Sequence, residues 1–267
     1  MSEIALSHDF YAEKISTGYE DRLILKDMNI TIPAGKFSVL IGPNGCGKST
    51  LLKSFARLLK PKNGDVVLDG KSIYELPTQL LAKHIGLLPQ SPIVPAGITV
   101  ADLVSRGRFP YQTLFGQLRK EDYEAIAIAM EAMGITDLAD KSVDSLSGGQ
   151  RQRVWIALVL AQDTDILLLD EPTTYLDIAY QVEILDCLAK LNEIKKTTIV
   201  AILHDINLSI RYADHIFAMK KGELIAEGNP KDIITPELMR TIYGMESTII
   251  TDPETGDPYV IPRSKVG

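Results

Sequence analysis

The stretch best suited to chemistry is a glycine-rich loop that ends in Lys and Ser. Gly42-Pro43-Asn44-Gly45-Cys46-Gly47-Lys48-Ser49-Thr50 places four residues between two glycines and continues with Lys-Ser. Glycines in such a loop let consecutive backbone N–H groups curl around a polyphosphate. The lysine then reaches the β and γ phosphates, and the serine hydroxyl ligates Mg²⁺. The loop predicts that the chain binds a nucleoside triphosphate, with Lys48 on its phosphates and Ser49 on its metal ion.

The residues on either side of the loop agree with this function. Phe37-Ser38-Val39-Leu40-Ile41 is an apolar run typical of a buried strand, and residues 51–59 have the pattern of a helix. The loop would then join a strand to a helix whose positive N-terminal end faces the phosphates. The alternative is a glycine-rich turn without a ligand, and a Lys-Ser pair at the helix start argues against it.

Two adjacent carboxylates follow a second apolar run. Residues 166–169 are all apolar, and Pro172 ends the run, as expected of a central strand buried on both faces. Asp170 and Glu171 would therefore emerge at the carboxyl edge of the sheet, where ligands of open α/β sheets bind. We expect Asp170 to hold Mg²⁺ and Glu171 to accept a proton from the water that attacks the γ phosphate. The alternative is a strand end that acids merely solvate.

Other polar residues stand where strands end or a helix begins. Gln90 follows the short strand predicted at residues 85–88, and His204 follows the buried strand predicted at residues 197–203, so both are expected at the ligand edge. His204 can contact the γ phosphate or the attacking water. Ser147-Gly148-Gly149 opens a helix and offers an anion a hydroxyl, N–H groups and the helix dipole. Taken alone, each has an ordinary alternative, a loop residue or a simple helix cap.

An aromatic residue upstream of the loop can bind a base. Tyr19 follows Gly18 in what the sequence predicts as a loop, and an exposed ring there can stack on adenine. A tyrosine in a loop more often serves packing, so this interpretation depends on the other motifs.

The composition limits the class of protein. A chain of 267 residues with 45% hydrophobic content can bury a substantial core. Its net charge of −7 argues against a general nucleic-acid binder, which needs a positive field. Its longest apolar run, residues 154–161, is shorter than the roughly 20 residues that span a bilayer. No signal peptide is visible after Met1, and two cysteines suit a reducing cytosol, so we expect membrane contact only through a partner.

The pattern of elements predicts one domain with an insertion. Short β-like pieces precede Pro33, helical periodicity dominates after Ser91, and a hairpin and a helix over 233–243 follow the last buried strand. We therefore predict a single domain over 1–267. It is composed of a core from 1–90 and 162–267 and a helical subdomain over 91–161.

Taken in order, these motifs resemble those of an ABC-type ATPase subunit over nearly the whole chain. The resemblance rests on the phosphate loop, Gln90, Leu146-Ser147-Gly148-Gly149-Gln150, Asp170-Glu171, Thr174-Tyr175-Leu176-Asp177 and His204. Thr174 stands where many relatives have Ser and keeps the hydroxyl. The chain is also similar to the subunits that drive bacterial iron(III)-siderophore and iron(III)-citrate importers. That likeness rests on residues 106–111, 160–164, 171–178 and 252–258.

The resemblance implies an α/β fold: a RecA-like P-loop core with an antiparallel β portion and an inserted helical subdomain. It implies a head-to-tail homodimer that holds two ATP molecules between its copies. Tyr19 would stack on adenine, Asp177 would couple the two sites, and Gln90 would sense Mg²⁺ and water. The residues implied to contact nucleotide are Tyr19, Gly42, Pro43, Asn44, Gly45, Cys46, Gly47, Lys48, Ser49, Thr50, Ser147, Gly148, Gly149, Gln150 and Asp177.

The function implied is ATP hydrolysis that energises import of an iron(III) chelate. The partners would be an integral membrane permease, docked near residues 91–111, and indirectly a substrate-binding protein, at the cytoplasmic face of the bacterial inner membrane. No nucleic acid is expected. One alternative keeps the role and changes the cargo to haem or cobalamin. Another is a soluble ABC ATPase without a permease, which the single cassette and modest insertion disfavour.

Overall fold

The computed structural model describes residues 8–20, 22–90, 92, 96–112, 117–174 and 176–265. It divides into two compact units: a discontinuous unit, Met1–Glu75 with Thr198–Gly267, and an inserted unit, Leu76–Thr197. The helical subdomain predicted over 91–161 falls inside the inserted unit, and its boundaries stay a prediction. Ser91 and Tyr175, which belong to predicted motifs, lie outside the described residues.

Helices and strands are numbered here in chain order. The strands are β1 (Phe10–Tyr19), β2 (Arg22–Ile32), β3 (Phe37–Ile41), β4 (Asn63–Leu68), β5 (Lys71–Ser72), β6 (Ile85–Leu88), β7 (Ile166–Asp170), β8 (Thr198–Ile202), β9 (His215–Lys220), β10 (Glu223–Gly228), β11 (Met245–Thr251) and β12 (Pro258–Lys265). The α-helices are α1 (Lys48–Phe55), α2 (Thr78–His84), α3 (Val100–Ser105), α4 (Lys120–Ala132), α5 (Gly148–Ala161), α6 (Ile178–Lys195), α7 (Ile206–Tyr212), α8 (Pro230–Ile233) and α9 (Pro236–Tyr243). Short 3₁₀ turns occupy Arg106–Tyr111, Thr136–Leu138 and Val143–Ser145.

The discontinuous unit contains two larger sheets and a terminal hairpin. One sheet is antiparallel and has the strand order β2-β1-β4-β5, which confirms the antiparallel β portion. In the other, β3 pairs in parallel with β8 on one side and with β9 on the other, and β10 pairs antiparallel with β9. All five residues of β3 and of β8 are buried, as two apolar runs predict. Parallel strands bring their carboxyl ends to one edge, which positions the phosphate loop.

The helix predicted over 51–59 differs from the observed α1 at both ends. It begins earlier, at Lys48, and ends at Phe55. Arg57 has a left-handed φ of 59°, which stops the helix, and its guanidinium donates to the Ile73 carbonyl oxygen at 3.0 Å. The apolar pair that follows therefore lies in a turn, because periodicity alone does not show where a backbone leaves the helical region.

The helix predicted over 233–243 is observed as α9, which begins later than predicted, at Pro236, while Ile233 ends the separate short helix α8. Pro236 restricts the residue before it to extended backbone, and Thr235 instead caps α9 by accepting the Leu238 N–H at 3.1 Å. The tail that follows forms the antiparallel hairpin of β11 and β12. α9 thus leads directly into a terminal hairpin.

The inserted unit contains the parallel strand pair β6 and β7 together with the helices α2 to α6. Ile85 pairs with Ile166 and Leu88 with Leu169, so both strands run to the same end. A buried ion pair joins the 3₁₀ turn to α4: Arg108 Nε lies 2.8 Å from Asp122 Oδ1. No helix in the described ranges has both the length and the apolar character needed to cross a membrane.

Candidate functional site

The phosphate loop joins β3 to α1 within the discontinuous unit. Gly42 and Gly47 have φ angles of 145° and 112°, a region that side chains rarely allow. An added Cβ would lie 2.2 Å from the Met219 carbonyl oxygen at Gly42 and 2.7 Å from Leu25 Cδ2 at Gly47. The fold therefore requires glycine at both ends of the four-residue stretch, for reasons of backbone angle and of space.

Lys48 folds back into this loop. Its Nζ donates to the carbonyl oxygens of Gly42 at 2.7 Å and of Pro43 at 3.2 Å, and it lies 3.9 Å from Cys46 Sγ. The Lys48 and Cys46 side chains are both buried. The loop thus holds one positive charge on its inner side, where a polyphosphate needs a counter-charge.

The other loop residues differ in their exposure. Asn44 and Gly45 are exposed, Pro43 and Ser49 are partly buried, and Thr50 is buried in the first turn of α1. The tip of the loop at Asn44 and Gly45 is therefore exposed to solvent, where a ligand can reach it.

His204 lies at the same sheet edge as the phosphate loop. β3 and β8 are parallel, and Leu40 of β3 pairs with Ile202 of β8. Gly42 lies two residues after Leu40 and His204 lies two residues after Ile202, so both follow the strands at the same level. His204 is exposed. Asp205, the next residue, begins α7 by accepting the N–H groups of Asn207 and Leu208 at 2.8 and 2.9 Å. The cap fixes the backbone just after the histidine.

Tyr19 is the last residue of β1 rather than part of a loop, because β1 continues through it to the turn before β2. The residue is 46% exposed, and Lys53 Nζ lies over the ring, 6.0 Å from its centroid. The tyrosine is therefore exposed to solvent, as stacking on a base requires.

In the inserted unit, three predicted residues leave the ends of one parallel strand pair. Leu88 of β6 pairs with Leu169 of β7, so the two strands end side by side. Gln90 follows β6, Asp170 is the last residue of β7, and Glu171 comes directly after it. Gln90 is exposed, Asp170 is buried, and Glu171 is partly buried. An amide and two carboxylates thus come from one sheet edge, as the apolar runs predict.

Glu171 has an unusual backbone conformation. Its φ is 56°, in the left-handed region that costs a non-glycine residue free energy. The Thr174 hydroxyl donates to Glu171 Oε2 at 3.1 Å, and the Thr174 N–H donates to the Glu171 carbonyl oxygen at 3.3 Å. A short turn therefore aims the carboxylate. The sequence shows the hydroxyl at position 174 but does not predict this contact with Glu171.

The glycine-rich helix start and Asp177 line one pocket of the inserted unit, of about 280 Å³. Ser147 and Gln150 form a reciprocal cap: the Ser147 hydroxyl oxygen accepts the Gln150 N–H at 3.2 Å, and Gln150 Oε1 accepts the Ser147 N–H at 3.1 Å. Ser147, Gly148 and Gln150 are exposed and Gly149 is partly buried. Asp177 begins α6 by accepting the Tyr180 N–H at 3.1 Å. The structure thus brings together two motifs that are distant in sequence.

The predicted residues fall into two sets, one in each unit. The discontinuous unit holds Tyr19, the phosphate loop and His204, and the inserted unit holds Gln90, Asp170, Glu171, Asp177 and residues 147–150. Sequence reasoning missed Tyr243, whose hydroxyl accepts the N–H of Gly42, the first glycine of the loop, at 3.1 Å. No spacing in the sequence signals that contact, because the two residues are 201 positions apart.

Comparison with known proteins agrees with the fold and the motifs. The profile of the ABC transporter family matches residues 25–174, more than half of the chain. The chain belongs to this family and is an ABC-type ATPase, an enzyme that hydrolyses ATP. The α/β fold with a P-loop core and an inserted helical portion is confirmed.

Particular relatives match nearly end to end. The ferric enterobactin transport ATP-binding protein FepC of Escherichia coli (strain K12) is 52% identical over 253 residues, which cover 95% of this chain and 93% of the relative. The iron(3+)-hydroxamate import ATP-binding protein FhuC of Bacillus subtilis (strain 168) is 48% identical over 246 residues, which cover 92% and 91%. Among solved structures, dimeric MJ0796, a bacterial ABC transporter cassette, superposes with a TM-score of 0.74 at 31% identity over 82% of this chain and 98% of that one.

Proposed function

We propose that this ATPase energises the import of an iron(III) chelate through a membrane permease. The observation that carries the proposal is identity of about half of all residues, over almost the full length, to subunits named for ferric enterobactin and iron(3+)-hydroxamate. The two names specify different chelators, enterobactin and hydroxamate, and the same metal ion, iron(III). The proposal is therefore specific for iron(III) chelates as a class and leaves the chelator open.

Each residue at the two sheet edges has a proposed task in ATP hydrolysis. Lys48 leaves its loop carbonyls to neutralise charge on the β and γ phosphates, and Glu171 accepts a proton from the attacking water. His204 contacts the γ phosphate or that water, and Gln90 orients the water. The exposed His204 and Gln90, and the carboxylate of Glu171 held by Thr174, support these roles. Tyr19 stacks on the adenine with its exposed face.

The proposed cofactor is Mg²⁺ bound with ATP. Ser49, Gln90 and Asp170 supply hydroxyl, amide and carboxylate oxygens, the hard donors that this cation prefers, so the residues present fit the ion. Bound there, the ion would neutralise charge on the phosphates. The chain's own contribution is to present these oxygens: Asp170 from the end of β7, and Ser49 from the first turn of α1.

The working form is proposed to be a homodimer in which two ATP molecules lie between the copies. Support comes from the pocket that Ser147, Gly149 and Gln150 share with Asp177, whose glycine-rich helix start is exposed. Helix N-termini bind anions, so Ser147, Gly148 and Gly149 would bind the γ phosphate of the partner's ATP. Asp177, beside them, would link the two sites.

A permease at the cytoplasmic face of the bacterial membrane is the proposed partner, with a substrate-binding protein acting through it. The family assignment supports a membrane partner, because the matched profile is that of transporters. The 3₁₀ turn Arg106–Tyr111 lies in the region proposed for docking, and Phe109 is exposed there. The haem, cobalamin and permease-free alternatives remain outcomes of the test below.

Uptake of radiolabelled iron(III) tests the function. Iron is supplied as citrate and with a catecholate or a hydroxamate siderophore to cells whose own gene is replaced by the wild-type chain or by Lys48→Ala. Lys71→Ala, at an exposed lysine of β5, is the matched control. Radiolabelled haem and cobalamin are measured in parallel.

The proposal expects Lys48→Ala to abolish uptake of at least one iron chelate while Lys71→Ala retains it. Loss confined to haem or cobalamin would replace the cargo and keep the transport role. Unchanged uptake of every compound, with the variant present at wild-type level and no second importer in the strain, would contradict a transport role altogether.

A further inference from the structure

The C-terminal segment of the chain reaches the phosphate loop through one side chain. Tyr243 ends α9, and its hydroxyl oxygen accepts the Gly42 N–H at 3.1 Å. Both residues belong to the discontinuous unit. The segment from α9 to β12, here called the C-terminal arm (residues 236–265), therefore makes a direct hydrogen bond to the first glycine of the loop.

The backbone of Gly42 has close contacts at its N–H, its carbonyl oxygen and its Cα. Its N–H donates to Tyr243, its carbonyl oxygen accepts Lys48 Nζ at 2.7 Å, and its Cα lies against Met219 so closely that a Cβ would be 2.2 Å from the Met219 oxygen. The Tyr243 hydroxyl and the Lys48 ammonium thus sit on the two peptide groups that flank one Cα. A rotation of the backbone at Gly42 would move the carbonyl that holds Lys48.

Tyr243 acts here as a neutral phenol. Burial raises the pKa of Tyr243 to about 12, because ionisation is unfavourable away from water, although the Gly42 N–H works in the opposite direction. At physiological pH the side chain therefore brings a hydroxyl and no negative charge to the loop that binds polyphosphate.

A second contact ties the arm to the residues after His204. Asn207 lies in the first turn of α7; its Nδ2 donates to the Val260 carbonyl oxygen at 3.2 Å, and its Oδ1 accepts the Val260 N–H at 2.8 Å. Val260, in β12, is fully buried. The arm thus contacts both segments that follow the paired strands β3 and β8: the loop at Gly42, and the helix that starts two residues after His204.

We propose that the C-terminal arm positions the nucleotide-binding loop, and that Tyr243 is its positioning residue. The inference rests on the proposed ATP hydrolysis at this loop. Tyr243 touches no reacting atom; it sets the orientation of Gly42 and, through the Gly42 carbonyl, the starting place of Lys48. ATP and ADP share the phosphates that the loop holds, so the arm contributes to binding of both.

Tyr243→Phe, made in the full chain, removes the hydroxyl and keeps the ring. We expect the Kd of ADP and the KM for ATP to rise about three- to tenfold, because one partly buried hydrogen bond is lost, with kcat within about twofold of wild type. Nucleotide titration and steady-state ATPase assays measure this. Tyr259→Phe, at an exposed tyrosine of β12, is the matched control and stays at wild-type values.

A merely structural role gives a different pattern. It would lower the melting temperature and the fraction of active protein, so the apparent kcat would fall while KM and the Kd of ADP stayed unchanged, and that pattern would overturn the proposal. Asn207→Ala tests the second contact and should raise KM at least about twofold, since it frees the arm from α7. A change in melting temperature alone would remove the arm from the mechanism. If wild type itself failed to bind or hydrolyse ATP, the proposed function would fall, which is a distinct result.

Discussion

Replacing Asp122 by Asn should destabilise the inserted unit severely, although the aspartate and asparagine side chains have the same shape. Asp122 Oδ1 accepts Arg108 Nε at 2.8 Å, and Oδ2 accepts the Arg119 N–H at 2.8 Å. Side-chain exposures of 7% for Arg108 and 4% for Asp122 mean that solvent screens this ion pair little. Asn keeps one oxygen and loses the charge, so it leaves the guanidinium buried without its counter-ion.

The expected cost follows from that geometry. Removing one partner of a buried ion pair costs about 3–5 kcal/mol. Arg108 Nη1 still donates to the carbonyl oxygens of Ala161 at 2.8 Å and of Gln162 at 3.5 Å, so the lower end applies, about 3 kcal/mol. A loss of that size lowers the melting temperature by roughly 10 °C in a chain of this length.

The pH dependence of the loss identifies its cause. Burial alone would raise the pKa of Asp122, but the Arg119 N–H and the Arg108 guanidinium outweigh it and lower the pKa. A carboxyl group with a lowered folded-state pKa contributes stability above its unfolded pKa of about 3.9, and the contribution disappears as the pH falls through the folded value. The difference in free energy of unfolding between wild type and Asp122→Asn should therefore be largest near pH 7 and decrease below about pH 4.

Urea denaturation across this pH range is the assay, with Asp140→Asn at an exposed aspartate as the matched control. A difference between wild type and Asp122→Asn below about 1 kcal/mol at pH 7 would refute the assigned strength of the pair. A large difference that stayed constant as the pH fell would place the cost in packing rather than in charge.

Two further predictions concern the site itself. A thiol-alkylating reagent should block ATPase activity by modifying Cys46, and bound ATP should protect the enzyme, because the thiol lies 3.9 Å from Lys48 Nζ. The Cys187→Ser variant is the control and should remain sensitive, since burial raises the pKa of the Cys187 thiol that it removes. Inhibition of the Cys46→Ser variant would contradict the assignment. Thr174→Val should lower kcat about tenfold with KM for ATP unchanged, because the Glu171 carboxylate loses a hydroxyl donor. Thr174→Ser should keep wild-type turnover, and an equal loss in both variants would refute the role of the hydroxyl.

The sequence predicted most of what lies at the ends of buried strands. Short, mostly apolar runs identify β3, β7 and β8, and polar residues that follow buried parallel strands lie at a sheet edge. That is why the phosphate loop, Glu171 and His204 could be assigned to strand ends from the sequence. The helix start at Ser147 was also predictable, since a short polar side chain before an apolar period marks the start of a helix.

Features set by distant contacts could not be predicted in this way. The left-handed turn at Arg57 that ends α1 depends on a carbonyl group at Ile73, and the Tyr243 contact depends on a loop 201 residues away. The pocket shared by Ser147 and Asp177 likewise arises from the packing of two helices. Local pattern indicates which elements form, while their exact ends and the contacts between them come from the fold.

Hydrolysis by Glu171→Gln, compared with wild type, tests the central claim most directly. The amide keeps the size and the Thr174 contact of the side chain and removes its ability to accept a proton. We predict that the purified variant binds ATP as wild type does, accumulates as a dimer that retains ATP, and turns over at least about 100-fold more slowly. Turnover at the wild-type rate, with ATP released as ADP and no retained dimer, would contradict the assignment of Glu171 and with it the account of this site.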